Sequence, residues 1–245
     1  MNGLRITLFH ARQLLRTPFF LQQALVAPCI FVALRVLGSL GADTPLTASL
    51  WLEGSIAGIW ATTTTAVGII SYQRFQGTLE HMALSTLRPG VVFGSLCAAA
   101  ATIGLLGIPL ALGLQLAVTG HVHVDLRDLV SLAASFLACM SSALVLAAFF
   151  LVSRSATVLE PLLLTPIWLL SGIVVPLSSF PWWIVPVAAI HPLVGAVAVG
   201  HSTGSVALVW LLESVGMSAL WATAAWVLLI TALRRARRDG TLALA

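Results

Sequence analysis

The sequence predicts an all-α integral membrane protein of six transmembrane helices, with an N-terminal amphipathic interfacial helix and short re-entrant or interfacial helices between the fifth and sixth spans. Three observations carry this prediction. The first is composition: 59% of the 245 residues are hydrophobic and 8% are charged, against about 25% charged in ordinary soluble domains. With a mean hydropathy of +1.04, the apolar surface exceeds what a water-soluble fold could bury. The second is a series of apolar runs, each long enough to cross a bilayer core at about 20 residues per span. The third is the placement of arginines at the ends of those runs.

Residues 1–18 come first and are amphipathic. Leu4, Leu8, Ala11 and Leu15 share one helical face, and Arg5, Arg12 and Arg16 share another, the pattern of a helix lying in the membrane interface. Six apolar runs follow, at about 19–40, 50–72, 89–118, 129–153, 158–175 and 206–233. The first is too long for a signal-peptide core and is read as a span. The whole of 1–245 therefore reads as a single transmembrane domain.

Counting arginines orients the spans. With the N-terminus inside, Arg5, Arg12, Arg16, Arg74, Arg88, Arg154, Arg234, Arg235, Arg237 and Arg238 fall on the cytoplasmic side, against Arg35 and Arg127 outside. The positive-inside rule then places both termini in the cytoplasm. Arg-only basic usage with abundant alanine points to a bacterium, hence to a multi-pass protein of the bacterial inner membrane. The basic excess fits lipid headgroups at span ends rather than nucleic acid.

Lysine is absent altogether. That excludes a phosphate-loop lysine, a Schiff-base lysine and a Ser–Lys dyad, and no catalytic residue is expected. Cys29, Cys97 and Cys139 each lie within an apolar run, without ligand or disulfide spacing.

Two connections are more than loops. Residues 71–89 are polar and free of helix breakers from Thr78 to Arg88, a cytoplasmic segment able to form a short surface helix. Residues 176–203 are apolar yet interrupted by Pro176, Pro181, Pro186 and Pro192. Such a segment is too broken to span and too apolar for a free loop, so an outer re-entrant arrangement is expected, with Trp182 and Trp183 at headgroup depth.

Ionisable residues within spans are functional candidates, because burying them is costly. Arg35, Glu53 and Glu213 all fall toward the outer leaflet. Arg35 either braces the outer half by pairing with Glu53 or Glu213, or snorkels to the surface alone. Thr62 to Thr65 form a polar run in the second span; helix packing or the lining of a path, with Thr62 and Thr65 as candidates, are the two readings. His121, His123, His191 and His201 read as solvated outer-loop histidines, and no metal ligand set is expected.

The stretch Arg74-Phe75-Gln76-Gly77-Thr78-Leu79-Glu80, continuing to Arg88-Pro89, resembles the Gly-Thr-Leu-Glu signature of type-2 ATP-binding-cassette exporter permeases. Phe75 stands where that family commonly has an acid. The run Leu170 to Trp183, with Pro176, Pro181, Trp182 and Trp183, followed by His191-Pro192-Leu193, resembles the family's second signature after the fifth span. The resemblance implies that Arg74, Gly77, Thr78, Leu79, Glu80 and Arg88 form a coupling helix docking on a separate cytoplasmic ATPase. It implies two ATPase copies holding ATP and magnesium, and a second permease, identical or related. This chain itself would bind no cofactor and would not be an enzyme. A hydrophobic or amphipathic, drug- or antibiotic-like substrate is expected, with lipid, glycolipid or peptide export as the nearest alternative. A secondary transporter would require acids near the bilayer midplane in matching halves; a non-transporting immunity or assembly protein would require no coupling segment.

Overall fold

The structure, a computed structural model, describes residues 3–75, 88–152 and 156–238. Among them there are helices and turns but no strand. The principal helices are α1 Gly3–Arg16, α2 Pro18–Ala42, α3 Leu50–Phe75, α4 Pro89–Gly104, α5 Ile108–Thr119, α6 Leu126–Val152, α7 Ala156–Leu170, the single turn α8 Val185–Ala188, α9 Pro192–His201 and α10 Gly204–Arg238.

Two apolar cores are stacked along one bundle. The first gathers Phe20, Ala24, Ala66, Val67, Phe93, Leu96, Ala147, Phe150, Leu229 and Leu233. The second gathers Phe31, Trp51, Ile56, Trp60, Ala111, Ala134, Cys139, Ile173 and Leu193. α2, α3 and α6 each run from one core to the other, and α4 with α5 makes the same passage. The chain therefore has a Phe75 end, beside the first core, and a Glu53 end, beside the second.

Four segments of the described chain are both long and apolar enough to cross a membrane: Pro18–Ala42, Gly90–Thr119, Leu126–Leu151 and Gly204–Arg235. The protein is accordingly an all-α protein of membrane-spanning character. α3, the second expected span, has 26 residues but carries Glu53 and four threonines. Its position explains this composition: Leu50 to Trp60 are buried without interruption. α3 packs on α2, α4 and α6, so its polar groups face protein rather than lipid. α2 and α10 lie at the periphery, with most of their apolar surface outward.

Two expected spans differ from the sequence reading. The third is not a continuous helix: Leu105–Gly107 form one 3₁₀ turn between α4 and α5. Pro109 removes a backbone donor there and its ring disfavours an uninterrupted α-helix. The flanking glycines admit neighbouring helices closely, since a Cβ on Gly107 would lie 2.7 Å from the Ala24 carbonyl oxygen. The fifth expected span extends to Val175, but α7 stops at Leu170. Gly172 adopts φ +83°, a left-handed conformation that ends a helix readily only at glycine.

α1 has three faces rather than two. Leu4, Leu8 and Leu15 are exposed and form the apolar stripe read from the sequence, while Ile6 and Leu14 are buried where α1 packs against α4. One apolar stripe anchors the helix to the protein, and the other remains available for a membrane interface.

Candidate functional site

The Glu53 end brings together groups far apart in sequence. Glu53, in the first turn of α3, is buried and accepts a hydrogen bond from Arg35 Nε on α2 at 2.8 Å. The Nε2 of His201, at the end of α9, lies 3.5 Å from the other carboxylate oxygen. Three elements meet on one carboxylate. A buried carboxylate without such partners would be strongly unfavourable. Thus Arg35 pairs with Glu53, while Glu213 lies elsewhere: both its carboxyl oxygens are buried and have no hydrogen-bond partner among the described residues. Glu213 abuts Gly195 of α9, where an added Cβ would clash with its carboxylate.

Around this cluster lies a cavity of about 370 Å³, lined by Arg35, Glu53, Pro176, Val194 and His201 among others. A second cavity of about 470 Å³ shares Arg35 and is lined by Leu34, Ser39, Thr44, Thr47 and Trp168. A third cleft, about 520 Å³, lies between α2, α3 and α7 and is lined by Gln22, Gln23, Phe31, Leu34, Trp60, Thr64, Thr65 and Trp168. Trp60 and Trp168 stack within it at 5.7 Å between ring centroids. The cleft is therefore mostly apolar with a few polar groups, the usual lining of small-molecule sites.

The threonine run divides its labour. Thr62 and Thr63 are buried, and their hydroxyls donate to carbonyls three and four residues back. That satisfies each hydroxyl within the helix. Thr64 and Thr65 reach the cleft wall, so of the two path candidates Thr65 lines a cavity and Thr62 serves packing.

Segment 176–203 also divides in two. Pro176, Pro181, Trp182 and Trp183 are exposed, with Trp182 at 86%, on a rim formed by a 3₁₀ turn and α8. From His191 onward the chain turns inward: Pro192 and most of α9 are buried between α6 and α10. Ser131 Oγ donates to the Ala196 carbonyl and Ser214 Oγ to that of Pro192, which satisfies two buried hydroxyls and ties α9 to α6 and α10.

His191 is a correction to the sequence reading, which took it for a solvated loop histidine. It is buried with its ring edge-on to Trp60 and Trp221, at 5.6 and 5.3 Å. Its Nδ1 accepts the Leu193 N–H at 3.3 Å, so Nδ1 carries no proton and the ring is neutral, with Nε2 facing Ser142 at 3.4 Å. Burial pushes its pKa down from the ordinary 6.5 to about 4. His121 and His123, by contrast, are exposed. Among the described residues no group of three or more His, Cys, Asp or Glu could hold a metal ion.

Sequence reasoning missed Gln115. This buried side chain on α5 accepts the Trp51 N–H at 2.8 Å and donates to the Ala48 carbonyl at 2.9 Å. It caps the first turn of α3, whose leading N–H groups lack intrahelical partners. A lone amide inside the third apolar run was the available signal. The proposed coupling residues Gly77, Thr78, Leu79 and Glu80 lie outside the described residues. Arg74 stands in the last turn of α3, and Arg88, exposed and extended at φ −63°, ψ 130°, precedes α4.

Comparison with known proteins gives no match: no protein-family model fits the chain, and no curated protein is significantly similar to it.

Proposed function

We propose that this chain is the membrane-spanning permease subunit of an ATP-driven exporter of the type-2 ATP-binding-cassette kind, moving a hydrophobic or amphipathic, drug-like compound out of the cell. In this reading the chain crosses a bacterial inner membrane six times with both termini cytoplasmic. It pairs with a second permease, identical or related, and with two ATPase subunits that carry ATP and magnesium. The observation that carries the reading is the Gly77-Thr78-Leu79-Glu80 stretch in the connection leaving the Phe75 end of α3, while the broken segment 176–203 gathers at the Glu53 end. Glu53 and Phe75 lie about 33 Å apart along the helix axis, roughly one hydrocarbon thickness. A chain without lysine has no phosphate-loop lysine, so in this reading nucleotide energy enters from a separate ATPase, and residues 71–89 are the segment assigned to receive it. The cleft between α2, α3 and α7 offers the substrate a mostly apolar route.

The test is reconstitution with an ATPase that copurifies with this chain, comparing wild type with Glu80→Ala and Gly77→Val. Both variants should keep the thermal stability of the wild type and lose coupled transport. Unchanged hydrolysis and transport in both would sink the coupling assignment. One observation favours a second reading, a proton-coupled secondary transporter: the carboxyl of Glu213, without a hydrogen-bond partner among the described residues, on a helix long and apolar enough to span. Proton-driven uptake or efflux without ATP, lost in Glu213→Gln, would select it.

A further inference from the structure

We propose that Arg35 is the headgroup-binding residue of a site for an amphiphile bearing one anionic group, a carboxylate or phosphate ester, whose tail lies in the cleft between α2, α3 and α7. Arg35 is held from one side. Its Nε is committed to Glu53 at 2.8 Å, whereas its two Nη groups have no protein acceptor among the described residues. A guanidinium fixed from behind by a buried carboxylate keeps its orientation, and the outer fork stays available for bidentate binding of an oxyanion. The side chain remains about one-third exposed and lines both cavities at this end.

The neighbouring groups suit such a ligand. The 470 Å³ cavity adds the hydroxyl side chains of Ser39, Thr44 and Thr47 beside Arg35. Among the described residues no carboxylate lines that cavity; Glu53 lies on the 370 Å³ side. His201 faces Glu53 at 3.5 Å on that same side. Phe31, Leu34 and Trp168 line both the 470 Å³ cavity and the 520 Å³ cleft, so the two share one apolar wall. The headgroup would sit at Arg35 and the tail would run over that wall. The sizes fall within the range of about 300–1,000 Å³ typical for drug-sized ligands, which favours a single-tailed compound over a two-tailed phospholipid. The site belongs to this chain alone and does not depend on export or on any ATPase partner.

The experiment uses the full chain in phosphatidylcholine nanodiscs with dansylaminoundecanoate as the probe, read by energy transfer from tryptophan, and its methyl ester as the uncharged control. The acid should bind about tenfold more tightly than the ester, the scale of one charge-assisted hydrogen-bonding pair. Arg35→Gln leaves Glu53 buried without its partner and can misfold, so the deciding variant is the doubly neutral Arg35→Gln/Glu53→Gln. It should bind acid and ester alike. Glu53→Gln alone keeps the guanidinium and should bind the acid at least as well as wild type. Leu34→Trp, which narrows the shared wall, should weaken acid and ester together. Equal binding of acid and ester by wild type, or undiminished preference for the acid in the double variant, would overturn the proposal. Displacement of the probe by phosphatidylglycerol added to the nanodiscs would assign the site to a bilayer lipid and overturn the single-tailed occupant.

Discussion

Gly104, where α4 passes into the 3₁₀ turn, offers a sharp test of how tightly this bundle is closed. A Cβ built there would lie 2.6 Å from Ile59 Cα, 3.1 Å from Ile59 N and 2.5 Å from Thr62 Oγ1. The first two are backbone atoms of the central helix and cannot swing aside. Carbon–carbon contacts are optimal at about 3.5–4.0 Å, so Gly104→Ala must push α3 and α4 apart by about 1 Å. Overpacking of this kind costs about 1–3 kcal/mol. Replacing glycine in a helix returns about 0.5–1 kcal/mol by restricting the unfolded chain. The net expectation is destabilisation of about 1–2 kcal/mol. The internal control is Gly113→Ala on α5, where no atom lies within 4 Å of the added Cβ, leaving only the favourable term. Thermal unfolding of both variants in the same detergent, followed by tryptophan fluorescence, should therefore shift Tm in opposite directions. If both substitutions shift Tm alike, the close approach of α3 and α4 at this point is refuted.

Three further predictions follow from the same geometry. Gln115→Leu leaves the Trp51 N–H and the Ala48 carbonyl without their partner and should destabilise by about 1–3 kcal/mol, measured by denaturant titration; an unchanged midpoint would deny the capping role. In a double-mutant cycle, Arg35→Gln alone should cost about 2–4 kcal/mol, less than a fully enclosed ion pair because Arg35 is partly exposed, whereas Arg35→Gln/Glu53→Gln should recover much of the loss. Additive single effects would mean that the pair is not coupled. His191 lies outside the four helices that are long and apolar enough to span, and its pKa is held near 4. Because the folded value lies below the ordinary 6.5, the unfolded chain binds the proton more readily, so the stability His191 supplies is full above about pH 6.5 and declines as pH falls toward 4. The ceiling is on the order of 3 kcal/mol. His191→Phe should flatten that slope relative to wild type, and an identical pH profile would place His191 in water.

Legibility differed from element to element for physical reasons. α2 and α10 were readable because helices with outward apolar faces must be apolar over their whole length, and α6 because a long helix buried in the bundle is apolar all round. The interruption at Leu105–Gly107 and the early end of α7 were written in local signals, Pro109 and Gly172, but a run of hydropathy passes over both. α1 showed its arginine face and one leucine stripe, yet Ile6 and Leu14 gained meaning only once α4 lay against them. Arg35 and Glu53 were recognisable as costly charges, while the choice between Glu53 and Glu213 depended on which helix lay beside α2.

The sequence by itself determined that this chain is helical and membrane-bound in character, because composition and arginine placement act through solvent, which every residue meets. Tertiary structure alone decided that α3 is the buried axis of the bundle, that Gln115 caps a helix 64 residues earlier, and that His191 sits neutral among tryptophans. Those outcomes depend on contacts between segments distant in the chain. A polar residue in an apolar run announces that it needs a partner, but its own sequence neighbourhood does not name one.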